Sequence, residues 1–216
     1  MKHELLEKAR VQFITHYTQE LSYLDSVRIA LLGGCRWIQL RMKNAPLYEV
    51  EEVGREVRKL CDKHEAVFII DDYVELVGKI GADGVHLGLS DMPADEARGR
   101  LGDKCIIGGT ANSFADVCLH SEYGVDYIGC GPYRFTETKE KLAPVLGLDG
   151  YRCIVEKMQC ADINLPIVAI GGIREEDIAL VLETGVNGIA LSGSILKAED
   201  PIEAMKRVMS KVITSI

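Results

Sequence analysis

The chain has 216 residues and 47% hydrophobic content, enough to bury one substantial core within the length of a single α/β domain. A formal charge of −8 excludes a general nucleic-acid binder, because such proteins need a basic face to displace counterions from phosphates. Met1 to Arg10 mixes five charged side chains with Leu5 and Leu6 and lacks the apolar run of a signal peptide, and no other stretch is long and apolar enough for a membrane span. The seven cysteines form no CxxC pair, which points to reduced thiols in the cytoplasm.

Eight short apolar, β-branched runs predict strands at Gln12–Thr15, Trp37–Arg41, Val67–Asp71, Gly84–Leu87, Cys105–Gly109, Tyr127–Cys130, Ile167–Ile170 and Gly188–Leu191. A segment of helical periodicity follows each one. Such alternation calls for parallel strands with right-handed crossovers, and eight units close a (βα)8 TIM barrel over residues 1–216. An open doubly wound sheet would hold similar runs, but Gly33-Gly34 and Gly171-Gly172 do not build the GxGxxG of a dinucleotide fold.

Barrel enzymes place their chemistry at the carboxyl ends of strands, so the polar residues there are taken in chain order. In the second strand, alternation puts Trp37, Gln39, Arg41 and Lys43 on one side and Ile38, Leu40 and Met42 on the other, against helices. Two cations directed at the barrel interior and its mouth call for an anion to compensate them. Asp72 ends the third strand and Asp91 follows the fourth. A hard cation such as Mg²⁺ takes one or two carboxylates plus phosphate oxygens, which fits this pair; capping of the next helices is the competing reading. By the same alternation Asp71 points elsewhere, and His86 reads as a hydrogen-bonded core histidine. After the sixth strand, Gly131–Lys139 opens into a loop whose hydroxyls and cations suit phosphate, with Lys139 placed to neutralise a departing diphosphate. Gly171-Gly172 and Ser192-Gly193 end the last two strands, where barrels often hold phosphate on loop amides.

Taken in order, QLRMK at Gln39–Lys43, Asp71-Asp72, DGVHLG at Asp83–Gly88 with Asp91, GPYRFTETK at Gly131–Lys139 and IGGI at Ile170–Ile173 resemble the thiamine-phosphate synthase family and its relative, thiazole tautomerase. The resemblance implies coupling of hydroxymethylpyrimidine diphosphate to a thiazole phosphate, giving thiamine phosphate and diphosphate. It implies a pyrimidine diphosphate site at Gln39, Leu40, Arg41, Met42, Lys43, Asp71, Thr110 and Lys139, with catalysis resting on Arg41, Lys43 and Lys139. It likewise implies Mg²⁺ at Asp72 and Asp91, and thiazole phosphate at Thr136, Glu137, Thr138, Gly172, Ser192 and Gly193. The expected partners are phosphorylated small molecules, with neither nucleic acid nor membrane; self-association into a homo-oligomer stays open.

Three positions depart from the family pattern: Asp71 stands where Asn is usual, Thr110 where Ser is usual, and Leu89 where Gln is common. Ser192-Gly193 looks more like the tautomerase branch, but Thr110-Ala111-Asn112 lacks the histidine that branch would use to move a proton. A tautomerase-like enzyme and a non-catalytic phosphate-binding paralogue therefore stand beside the synthase as alternatives.

Overall fold

A computed structural model describes residues 10–135 and 144–215. Its eight strands are β1 (Val11–Ile14), β2 (Trp37–Leu40), β3 (Val67–Asp71), β4 (Gly84–Leu87), β5 (Ile106–Ala111), β6 (Tyr127–Cys130), β7 (Ile167–Ile170) and β8 (Gly188–Leu191). They pair in parallel with their sequence neighbours, and β8 returns to β1, so the sheet closes into a barrel. Five strands keep the bounds expected from sequence. The first begins and ends one residue earlier, the second stops at Leu40, and β5 starts at Ile106 and runs on to Ala111.

β5 runs on because Thr110 and Ala111 pair with Gly129 and Cys130 of β6, and its glycines answer a steric demand. A side chain on Gly108 would place Cβ 2.2 Å from Tyr127 Cζ and 2.5 Å from His86 Nδ1, both of which occupy the barrel interior. Glycine here is therefore a packing requirement, although the dipeptide Gly108-Gly109 reads as a strand end from sequence alone. Replacing Gly108 with Ala is expected to lower stability by about 2–3 kcal/mol through overpacking. Denaturant unfolding measures this, and an unchanged midpoint would show that the Tyr127 ring has room to move.

The helices close the outer layer. They are α1 (Tyr23–Leu32), α2 (Leu47–Lys63), α3 (Val77–Ile80), α4 (Ala94–Leu101), α5 (Phe114–Glu122), α6 (Gly147–Cys160), α7 (Ile178–Leu182), α8 (Gly193–Leu196) and α9 (Pro201–Thr214). In α2 the buried residues Val50, Gly54, Val57 and Cys61 recur on one face while charged residues fill the other, the pattern of a helix laid on a sheet. Ser22 and Asp25 form a reciprocal capping box at the start of α1, and the Asp200 side chain accepts from Glu203 N at the start of α9, each cap contributing about 1 kcal/mol.

Alternation along each strand divides the apolar residues into two cores. Phe13, Ile38, Leu40, Phe68, Ile70 and their equivalents pack between sheet and helices. Ile14, Trp37, Val67, Ile69, Ile106, Tyr127, Val168 and Ala190 fill the barrel. The barrel interior is thus plugged by bulky side chains, and polar residues of the inward-facing set gather above them at the carboxyl ends. Among the described residues, no helix is long and apolar enough to cross a membrane.

Candidate active site

The mouth is built from the last inward-facing residues of β2 to β5 and the turns that follow. Gln39 and Arg41 extend the inward set of β2, as alternation requires. Leu40 and Met42 are buried in the layer between sheet and helices, so their side chains point away from the mouth. Thr15, which follows β1, anchors this edge: its hydroxyl accepts from Arg41 N at 2.9 Å and its amide donates to the Gln39 carbonyl at 2.9 Å. Lys43 lies farther out, exposed.

Strand β3 turns Asp71 into the mouth together with Val67 and Ile69, not away from it as the sequence reading has it. Asp71 is 7% exposed, Gln39 Nε2 donates to its Oδ1 at 2.6 Å, and Arg41 Nε lies 3.2 Å from its Oδ2. The departure from the family pattern therefore comes with a built-in countercharge. An ion pair at this depth holds its geometry because a missing partner would strand a charge away from water.

Asp72 follows in the left-handed region with φ 68, a conformation that Asp tolerates better than most residues but that still carries strain. Its amide donates to the His86 carbonyl at 2.9 Å, which fixes the turn above β4. Asp91 closes the turn after β4 by accepting from Gly88 N at 2.6 Å. Neither acid caps the helix that follows: the cap positions belong to Tyr73 and Pro93 and use no side-chain bond. The Asp72 carboxyl meets Asp91 within hydrogen-bonding reach. Water still reaches Asp72, but neighbouring atoms crowd it, and this desolvation, then the Asp71 charge, then the bond to Asp91, push its carboxyl well above the ordinary range. Arg41 acts on Asp71 and Asp72, and with Asp91 beside Asp72 the three carboxylates need a further cation or a proton to coexist.

Thr110 stands near the end of β5, half-buried, with its hydroxyl 3.0 Å from His86 Nε2. His86 is buried and both of its ring nitrogens have partners, in line with the core role read from sequence. On the far side, β7 and β8 are neighbours and end in Gly171-Gly172 and Ser192-Gly193. Gly172 has φ 72, and a Cβ there would lie 2.5 Å from Arg134 Cγ, so only glycine lets the Arg134 side chain lie across this turn. Arg134 in turn forms two short bonds to the buried Asp177 at 2.8 and 2.9 Å and lies over the Tyr133 ring. Neither Thr15 nor the Arg134–Asp177 pair was legible as part of the site, since nothing local marks which carboxylate an arginine will meet 43 residues later. Thr136, Glu137, Thr138 and Lys139 lie outside the described residues.

A concavity of ≈ 700 Å³ opens at the opposite end of the sheet, lined in part by Arg58, Val67, Asp83 and Ile106. Arg58 there is tied to Asp83 and Asp62, both at 2.8 Å, and to main-chain carbonyls, so its charge serves the fold. The convergent polar groups are at the other end.

A family model described as thiamine monophosphate synthase matches residues 11–195. The chain belongs to the thiamine monophosphate synthase family. A thiamine-phosphate synthase from Phocaeicola vulgatus is 62% identical over 200 residues, covering 93% of this chain and 96% of that one. One from Flavobacterium johnsoniae is 44% identical over 207 residues, covering 96% and 98%. A solved structure, a thiamine phosphate pyrophosphorylase from Pyrococcus furiosus, superposes with a TM-score of 0.86 at 37% identity, covering 98% of this chain and 99% of that one. Family membership thus spans the barrel, and with it the whole mouth formed by the described residues.

Proposed function

We propose that this chain is a thiamine-phosphate synthase, which joins hydroxymethylpyrimidine diphosphate to a thiazole phosphate and releases thiamine phosphate and diphosphate. The observation that carries this reading is the convergence of Arg41 with Asp71, Asp72 and Asp91 at one end of a barrel that matches the family along its length. In the reaction the bond between the pyrimidine methylene carbon and the diphosphate oxygen breaks, its electron pair leaving on the diphosphate. The thiazole nitrogen supplies the pair for the new carbon–nitrogen bond. No strong base is needed, and the demand on the protein is to stabilise negative charge on the leaving group.

Mg²⁺ fits the Asp72 and Asp91 pair, because a hard cation relieves the carboxylate crowding that otherwise calls for a proton. When bound there, it supplies positive charge against the diphosphate oxygens. Arg41, beside Asp71, and Lys43, exposed farther out, act on the same group in this reading. Gln39, Asp71 and Thr110 border the pyrimidine diphosphate, which also passes the main chain at Leu40 and Met42. Across the mouth, Gly172, Ser192 and Gly193 receive the thiazole phosphate, together with Thr136, Glu137 and Thr138. Lys139 neutralises the departing diphosphate. Replacing Lys139 with Ala is expected to slow coupling by about 100-fold while shifting the unfolding midpoint little, the result for a side chain that serves the reaction and not the fold. An unchanged rate would remove Lys139 from the reaction.

The test of the reading as a whole is formation of thiamine phosphate from both phosphorylated substrates with Mg²⁺. Conversion of the thiazole substrate alone would favour the tautomerase, and binding without product the idle paralogue.

A further inference from the structure

Below the mouth, buried Tyr127 of β6 and His86 of β4 belong to a chain of side-chain hydrogen bonds that the chemistry above leaves unused. Gln12 Nε2 donates to the Tyr127 hydroxyl at 3.1 Å. That hydroxyl lies 3.0 Å from His86 Nδ1, and His86 Nε2 lies 3.0 Å from Thr110 Oγ1. The sense of the chain is set at Tyr127. Burial holds its phenol well above the ordinary value, so it keeps its single hydrogen, and with Gln12 donating to the oxygen that hydrogen goes to His86 Nδ1. Nδ1 then carries no hydrogen, the imidazole is the Nε2–H tautomer, and Nε2 donates to Thr110. The Thr110 hydroxyl, already an acceptor, directs its own hydrogen away from His86.

The backbone of the same residue is held as firmly. His120 Nε2 donates to the Thr110 carbonyl at 2.8 Å. Room for this arrangement comes from glycines: a Cβ on Gly129 would lie 2.9 Å from His86 Cε1, and one on Gly109 would lie 2.5 Å from His120 Cε1.

We propose that Gln12, Tyr127 and His86 form a positioning chain that fixes the Thr110 hydroxyl as a hydrogen-bond donor to the departing diphosphate, an inference that rests on the synthase reading above. His86 and Tyr127 transfer no proton in this scheme. They hold one tautomer so that the Thr110 donor is aligned before charge develops and needs no reorganisation when it does.

Two measurements test it. In the unaltered chain, long-range proton–nitrogen correlation spectroscopy reads the tautomer of His86, identified by through-space contact with the Tyr127 ring, whose centroid lies 5.5 Å away. The Nε2–H form is expected, and either the Nδ1–H form or the imidazolium would overturn the proposal. In steady-state coupling, Thr110→Val and His86→Asn are each expected to lower kcat by about 10- to 100-fold while changing KM for the pyrimidine diphosphate less than about 3-fold. The double variant should be no slower than Thr110→Val alone, because both changes remove one interaction. His86→Gln, whose amide nitrogen takes the place of Nε2, should recover most of the rate. Additive losses, or a His86→Gln variant as slow as His86→Asn, would overturn the proposal. Absence of coupling by the unaltered chain would instead refute the synthase reading, a result the tautomer measurement does not depend on.

Discussion

Removing divalent cations with excess chelator is expected to abolish coupling, with a loss on the order of a thousandfold or more, and adding Mg²⁺ should restore it. The expectation follows from charge placement. Asp71 is offset by Arg41 at 3.2 Å, whereas desolvation, then the Asp71 charge, then the bond to Asp91 lift the Asp72 carboxyl far above its usual range. A diphosphate brought to this end of the barrel adds further negative charge against these carboxylates. In the proposed site a bound cation offsets the carboxylates and the diphosphate together, whereas a proton on Asp72 answers the carboxylate crowding alone. Circular dichroism should show the fold unchanged in chelator, since the apolar interior and the helix caps make no use of the ion. Full activity in excess chelator would sink the assignment of Asp72 and Asp91.

Replacing Arg41 with Ala is expected to reduce kcat/KM for the pyrimidine diphosphate by about a thousandfold, because in the proposed site one change removes a cation from the leaving group and takes the guanidinium away from Asp71. The Asp71 side chain is only 9% exposed, so water cannot take over the role of the guanidinium. Asp71→Asn should act in the opposite direction. The amide oxygen can still accept from Gln39 Nε2, the amide nitrogen gains a donor, and Arg41 is released to face the diphosphate. The Asp72 carboxyl should also move back toward its ordinary range, since the Asp71 charge is the second largest cause of its elevation. Calorimetric titration of both variants at fixed Mg²⁺ reads these outcomes. Weaker binding by Asp71→Asn would show that the carboxylate itself contacts the ligand or the metal.

How much of this was legible in the sequence differs between fold and site. Strand positions followed from apolar runs because parallel strands buried on both faces leave a continuous hydrophobic signature. The end of β5 did not: the expected strand stops at Gly109, whereas β5 runs on to Ala111 past two glycines packed against the Tyr127 and His120 rings. At the site, period-two alternation placed Gln39 and Arg41 correctly on β2. It misplaced Asp71, because pairing Asp72 with Asp91 at the mouth implied that the preceding residue must face outward. The left-handed backbone of Asp72 breaks the alternation there and lets both acids serve the same mouth. The Gln12–Tyr127–His86–Thr110 chain joins four strands, and no local pattern announces contacts made 115 residues apart.

The central claim is that this mouth couples two phosphorylated heterocycles. Its most direct test is to incubate the full chain with Mg²⁺, hydroxymethylpyrimidine diphosphate and thiazole phosphate, and to quantify both products of the same reaction. Thiamine phosphate and diphosphate accumulating in equal amounts is the expected result. Diphosphate without thiamine phosphate, or neither product under saturating substrates, would contradict the account.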